Sequence, residues 1–379
     1  MNVFAAILTF TAIIGGLVYA VACITAFVGH AGRSLAYSDD LPTVSVIVAA
    51  RNEENTIGPL IDDLLVQDYP YDRFTITVID DCSTDDTADV VRQYAACHSR
   101  LQLLSSNDSL SPYTHKKKAI HTGILATDGE IVMTVDADCR VPHGWIRGMV
   151  RCFAERVNLV AGEIHVEGNG VPASLEILEF TGIQMMAAGL MNAGLPITCN
   201  GANLAYRRSA FDRVGGYDGY GRVVSGDDDL LMQKMAKYDP HTAVFVTGGE
   251  TAVRVRANDS IGAFLHQRTR WASKIGTYPS KRALILLVAF YLFLAALPLW
   301  IVAAASGALS WTPLIVGFGL KITGDTLLVG TGLAERGLMG PLVFFPLAEL
   351  LHVPYILYVA PRGLFGSFEW RGRRVRVKV

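Results

Sequence analysis

The chain has 379 residues, 51% of them hydrophobic, a mean hydropathy of +0.33 and a formal net charge of −2. This is too apolar for an ordinary soluble enzyme and calls for membrane segments. The charge balance gives no sign of nucleic acid, which is not expected as a partner, and six scattered cysteines without C-x-x-C spacing point to reduced thiols rather than zinc.

Met1 to Gly29 carries no Asp, Glu, Lys or Arg, a stretch long enough to cross a bilayer. A cleaved signal peptide would want a basic start and a shorter apolar core, so residues 1–30 read as a retained transmembrane helix. Residues 42–258 then read as one α/β domain. Val44 to Ala50 is a buried strand, followed by Arg51-Asn52-Glu53-Glu54 and a helix through about Gln67. Phe74 to Ile79 is the next strand and runs into Asp80-Asp81; a helix follows to about Ala96, with Ser83 to Asp86 supplying N-cap chemistry. Leu101–Leu104, Ile131–Val135 and Leu159–Val166 continue the strands, with helical patterns around Lys117–Leu125 and Gly144–Ala154. The alternation implies a mostly parallel sheet whose ligand crevice lies at the carboxyl ends of its strands.

That rule gathers the chemistry. Asp136 and Asp138, spaced i, i+2 after a β-rich apolar run, offer hard oxygen ligands for Mg²⁺ or Mn²⁺, ions that bridge diphosphates. Asp80 and Asp81 fall after a strand on the same edge; they either cap the next helix or receive a nucleotide, and the strand-end position favours the nucleotide. Lys116-Lys117-Lys118 starts a helix, where the macrodipole disfavours cations, so an anionic partner is expected for at least one of them. Asp227-Asp228-Asp229 opens another helix. Plain capping is one reading; mutual repulsion that raises one carboxyl into the range of a general base is the other. Gln267, Arg270 and Trp271 share a helical face, and the arginine fork suits a diphosphate. Gly168-Asn169-Gly170 is read as a turn rather than a dinucleotide fingerprint, because Pro172 follows.

Residues 259–282 form a mixed-polarity helix expected at the membrane interface. In the apolar block at 283–361, Ala283–Leu309 is free of charge, Trp311–Leu333 contains Lys321 and Asp325, and Pro341–Ala360 contains Glu349, His352 and two prolines. Lys321 and Asp325 either form a simple i, i+4 pair or line a functional cavity. The tail at 362–379 is basic (Arg362, Arg371, Arg373, Arg374, Arg376, Lys378), which favours the cytosol. Three full crossings after a cytosolic domain would place it outside, so one of the last two segments is expected to be bent or re-entrant.

Together these residues resemble the membrane-bound GT-A glycosyltransferases of family 2, which include cellulose and hyaluronan synthases and ceramide glucosyltransferase. Pro42 to Glu54 is similar to the family's first strand and nucleotide loop, with Ala50, Asn52 and Glu53 at the donor. Asp80-Asp81 resembles its uridine-binding pair, Lys116 its loop lysine, and Asp136-Ala-Asp138 its metal and diphosphate motif. Gly201 to Tyr206 resembles the acceptor-side segment, and Gln267-x-x-Arg270-Trp271 its Q-x-x-R-W. Asp228 best matches the base of its T-E-D motif, with Asp227 and Asp229 open as alternatives.

The resemblance implies inverting transfer from a UDP-sugar, with Mg²⁺ or Mn²⁺ on Asp138 and Asp136, to a membrane lipid. It further implies an integral protein of a bacterial cell membrane with its catalytic domain in the cytosol. Polysaccharide synthesis remains an alternative, as does a membrane-bound nucleotidyl- or phosphoryl-transferase using the Asp cluster for two metals.

Overall fold

The computed structural model describes residues 3–32, 36–370 and 373–376. The chain opens with helix α1 (Val3–Ala31) and then builds the expected domain. Its strands are β1 (Val44–Ala50), β2 (Phe74–Asp80), β3 (Leu101–Ser105), β4 (Ile131–Asp136), β5 (Leu159–Gly162), β6 (Ile164–Glu167), β7 (Leu204–Arg207), β8 (Ala243–Val246) and β9 (Val253–Arg256). Its helices are α2 (Ile57–Leu65), α3 (Thr87–Cys97), α4 (His115–Leu125), α5 (Trp145–Val150), α6 (Gly170–Asn192), α7 (Arg208–Arg213) and α8 (Asp229–Met235). Next come α9 (Ile261–Ala272), three long helices α10 (Lys281–Ala305), α11 (Thr312–Glu335) and α12 (Phe345–Phe365), and a hairpin of β10 (Ser367–Trp370) and β11 (Arg373–Arg376).

Seven strands form one sheet in the order β3-β2-β1-β4-β7-β5-β8. The β3-β2-β1-β4 half is parallel, as the alternating pattern requires, whereas β7 pairs antiparallel with both β4 and β5. The apolar run 159–166 breaks at Glu163, because its second half leaves the main sheet to pair with β9. Val46, Val48, Ile76, Val78 and Met133 point into a core shared with α2 and α5, and Ile47, Ile79 and Val132 into a second core under α4. Helix α6 is an element that periodicity did not disclose: it is buried along most of its length, so no polar stripe marks it. The glycine-rich segment read as a turn is its entry, with Asn169 at the N-cap and Gly170 at φ 84°.

Among the described residues, four helices, α1 and α10 to α12, are long and apolar enough to cross a membrane. Helix α1 packs against α6 and α11. Gly189 of α6 allows the closest approach: a Cβ there would sit 1.8 Å from the Ala26 carbonyl oxygen. The Lys321–Asp325 pair forms at 2.7 Å and extends further, since Lys321 also reaches Glu349 of α12 at 2.5 Å and Tyr19 of α1 donates to Asp325 at 2.6 Å. Three helices are thus joined by one buried polar network.

Helix α12, which contains Pro354 and Pro361, packs on α10 and also touches the α/β domain and α9. Phe345 and Ala348 join that domain's core, Tyr355 donates to Glu179 of α6 at 2.9 Å, and Gly363 lies against Ala272 of α9. The chain therefore re-emerges beside α9, where β10 packs. Arg371 and Lys378 lie outside the described residues. A reporter fused after Val379 is expected on the same side of the membrane as a tag in the α/β domain; opposite-side readouts would contradict this placement.

Candidate active site

The carboxyl ends of β1, β2 and β4 open on a cavity of about 420 Å³, closed on its far side by α9. Ala50 at the end of β1 and Glu53 in the loop after it line the cavity, as do Asp81 after β2 and Asp136 and Asp138 at the end of β4. Lys116 enters from α4, Asp227 and Asp228 from the start of α8, and Gln267, Arg270 and Trp271 from α9. The structure thus brings together all but three of the residues assigned from the sequence to donor, metal and base. Asn52, Asp80 and Asp229 do not line the cavity.

Asn52 and Asp80 build the loops instead. The Asn52 side chain accepts from the Thr84 N–H at 2.8 Å, and Asp80 accepts from the Ser83 N–H at 3.1 Å, a turn within the loop rather than a cap on α3, whose N-cap is Asp86. Asn52 and Cys82 sit at φ 55° and 60°, a left-handed backbone that costs energy at residues other than glycine and occurs at ligand-binding loops. Beside them Arg51 donates to the Asp81 carbonyl at 2.6 Å, and Ser106 donates to the Asp81 carboxylate at 2.9 Å.

Lys116 answers the question of the lysine at a helix start. Its ammonium lies 2.5 Å from Asp136 and 3.3 Å from Asp227, bridging the strand-end acids to the α8 acids. Burial works against its charge, but these acids outweigh that and raise its pKa. Lys117 turns the other way, donating to the Val223 and Ser225 carbonyls that lead into the acidic turn; burial pulls it down to about 8.

The three aspartates of α8 have separate surroundings. Asp227 pairs with Lys116. Asp228 is the N-cap, accepting from the Asp229 N–H at 2.7 Å and, through Oδ2, from the Gly201 N–H at 3.1 Å. Gly201 permits this approach, since a Cβ there would lie 2.9 Å from Asp227 Oδ2. Asp229 is fully buried, held by Lys274 at 2.9 Å and by Tyr278, which donates to it at 2.6 Å. Lys274 also pairs with Asp228 at 3.1 Å. Burial raises both carboxyls. For Asp228, Lys274, the Asp229 N–H and Lys116 reverse that and hold it well below the usual range. For Asp229, burial and the neighbouring Asp228 charge prevail, and its pKa rises to about 7.

Helix α9 is fastened by a residue between the motif positions. Arg268, buried, pairs with Glu179 of α6 at 2.6 Å and lies 4.2 Å from the centre of the Trp271 ring. Lys274, Tyr278 and Arg268 carried no signal of their own in the sequence; their partners come from remote segments. Beside Trp271, Ile164, Val166, Phe180, Val255 and Ala263 add apolar surface to a wall that α6 and α9 also line with Glu176, His266, Gln267, Arg268 and Arg270.

Residues 45–215 match the model of glycosyl transferase family 2, and residues 131–329, more than half of the chain, match that of glycosyl transferase family group 2. The chain belongs to the family 2 glycosyltransferases. It is similar to glycosyltransferase AglE of Haloferax volcanii, 28% identical over 190 residues, which cover 50% of this chain and 59% of that one. It is likewise 28% identical over 241 residues to the beta-monoglucosyldiacylglycerol synthase of Synechocystis sp., covering 61% of this chain and 47% of that one. The matched stretch thus spans about half the length of these curated relatives. The fold is that of mannosyltransferase PcManGT from Pyrobaculum calidifontis, solved in complex with GDP-Man and Mn²⁺. That likeness has a TM-score of 0.62 at 21% identity, over 95% of this chain and 97% of that one.

The Asp229 assignment is testable by stability. A carboxyl whose folded-state pKa lies near 7, above the roughly 3.9 of an unfolded chain, favours the fold at low pH and loses that contribution as pH rises through 7. Asp229→Asn is therefore expected to raise the thermal midpoint relative to wild type at pH 8 and to leave it nearly unchanged at pH 4. An equal effect at both pH values would contradict the assignment.

Proposed function

We propose that the protein transfers a sugar from a UDP-sugar, with inversion and with a divalent cation, to the hydroxyl of a membrane lipid on the cytosolic face. One observation carries the reading: Asp138 and Asp228 open on a single cavity whose far wall, α9, leads into the membrane helices.

In this reading Asp81 and the loop after β1 receive the uridine. Asp138 and Asp136 form a donor set of hard carboxylate oxygens that fits Mg²⁺ or Mn²⁺, which would supply charge to neutralise the departing diphosphate. Lys116, on Asp136 at 2.5 Å, and Arg270 add fixed positive charge on the same side. The base, Asp228, takes the proton of the acceptor hydroxyl. The acceptor oxygen forms its bond to C1 from the face opposite the nucleotide, and the C1–O bond to the diphosphate breaks with its electron pair going to UDP. The apolar side chains around Phe180 and Trp271 suit a lipid chain, as does the likeness to a glucosyldiacylglycerol synthase.

Removing a general base costs roughly 10²–10⁴-fold in rate. Asp228→Asn is expected to lose transfer by that order while keeping UDP affinity; substantial turnover would reject the assignment. Membranes given labelled UDP-sugars are expected to yield lipid-soluble product and free UDP. Polymer would support the synthase alternative, and UMP a nucleotidyl or phosphoryl transfer.

A further inference from the structure

Lys274 lies just beyond α9, 5% exposed, and does not line the cavity. Its ammonium nevertheless touches the aspartate assigned as base: 3.1 Å to Asp228 Oδ1, with Asp229 Oδ2 at 2.9 Å on the other side. Tyr278, four residues on, donates to the same Asp229 oxygen and fixes the rear of the group. Three donors thus converge on the Asp228 carboxylate, namely Lys274 and the N–H groups of Asp229 and Gly201. They come from three segments: the turn after α9, the start of α8, and the loop before β7.

We propose that Lys274 is a positioning residue: anchored by Asp229 and Tyr278, it holds the Asp228 carboxylate ionised and aimed into the cavity. This rests on Asp228 being the base. A buried carboxylate with no cation beside it takes up a proton, and a protonated base cannot accept one from a hydroxyl. The other charged and titratable groups around Asp228 do not replace Lys274. Lys116 is committed to Asp136 and Asp227, Lys117 to two backbone carbonyls, and Asp227, Asp229 and the buried Cys199 thiol supply no positive charge. The same contact ties the base to the segment carrying Arg270 and Trp271, so the groups for the leaving diphosphate and for the attacking oxygen are set against each other.

The test uses the full-length protein in detergent or nanodiscs, with Lys274→Met and Lys274→Arg. The pH profile of kcat/KM, UDP affinity and thermal midpoint are measured for each. In Lys274→Met the acid limb is expected to move up by about one pH unit or more as the lost charge lets Asp228 protonate. UDP affinity is expected to be unchanged, and Lys274→Arg to keep the wild-type limb. A limb that stays in place while the rate falls overturns the proposal. If Lys274→Met does not fold, Lys274→Met with Asp229→Asn, which also removes the buried carboxyl that Lys274 partners, itself largely protonated on the acid limb, is expected to fold and show the same shifted limb. Undiminished turnover by Asp228→Asn would instead reject the base itself. An inactive Asp228→Asn beside an unmoved Lys274→Met limb would reject the role of Lys274 alone.

Discussion

Five carboxylates, those of Asp136, Asp138, Asp227, Asp228 and Asp229, converge at one end of this fold, and lysines separate four of them. Lys116 stands between Asp136 and Asp227, and Lys274 between Asp228 and Asp229. Buried carboxylates without such partners would repel one another and take up protons. The two lysines reach the cluster from opposite directions, one from a helix covering the sheet and one from the chain beyond α9. The acidic rim is therefore complete only when the α/β domain has docked against the segment that leads into the apolar helices.

The same dependence governs the cavity wall. Helix α9 carries Gln267, Arg270 and Trp271, and its position is fixed by Arg268, which reaches Glu179 on α6 while Tyr355 of α12 donates to that same carboxylate. Helix α6 in turn packs on α1 and α11. The catalytic domain and the apolar helices thus share helices rather than a linker, and a lipid approaching Asp228 would pass surfaces contributed by both.

Much of this was legible in the sequence, for reasons that can be named. Strand ends collect ligands in α/β sheets, so a β-rich apolar run followed by acids located Asp81, Asp136 and Asp138. The same rule did not separate Asp80 from Asp81: successive residues leaving a strand point to opposite sides, and only Asp81 turns to the cavity. Nor did it disclose β7, whose antiparallel insertion depends on pairing between distant segments. Helix α6 escaped because a helix buried all round has no polar face to mark it. Among the three α8 aspartates, spacing alone left the base open. Their surroundings differ, since Asp227, which binds Lys116, and Asp228, which binds Lys274, both line the cavity, while Asp229 is fully buried. Lys274 had no signal at all, because its meaning lies wholly in what folds against it.

The central claim is that a divalent cation and a nucleotide diphosphate dock together on the acidic rim. Calorimetric titration of UDP into the full-length protein, with and without Mn²⁺, tests it most directly when repeated with Asp138→Ala. The account predicts that Mn²⁺ strengthens UDP binding by about tenfold or more in the wild type, equivalent to about 1.4 kcal/mol, and that Asp138→Ala removes the gain. UDP affinity indifferent to Mn²⁺, or a gain that survives the loss of Asp138, would contradict it.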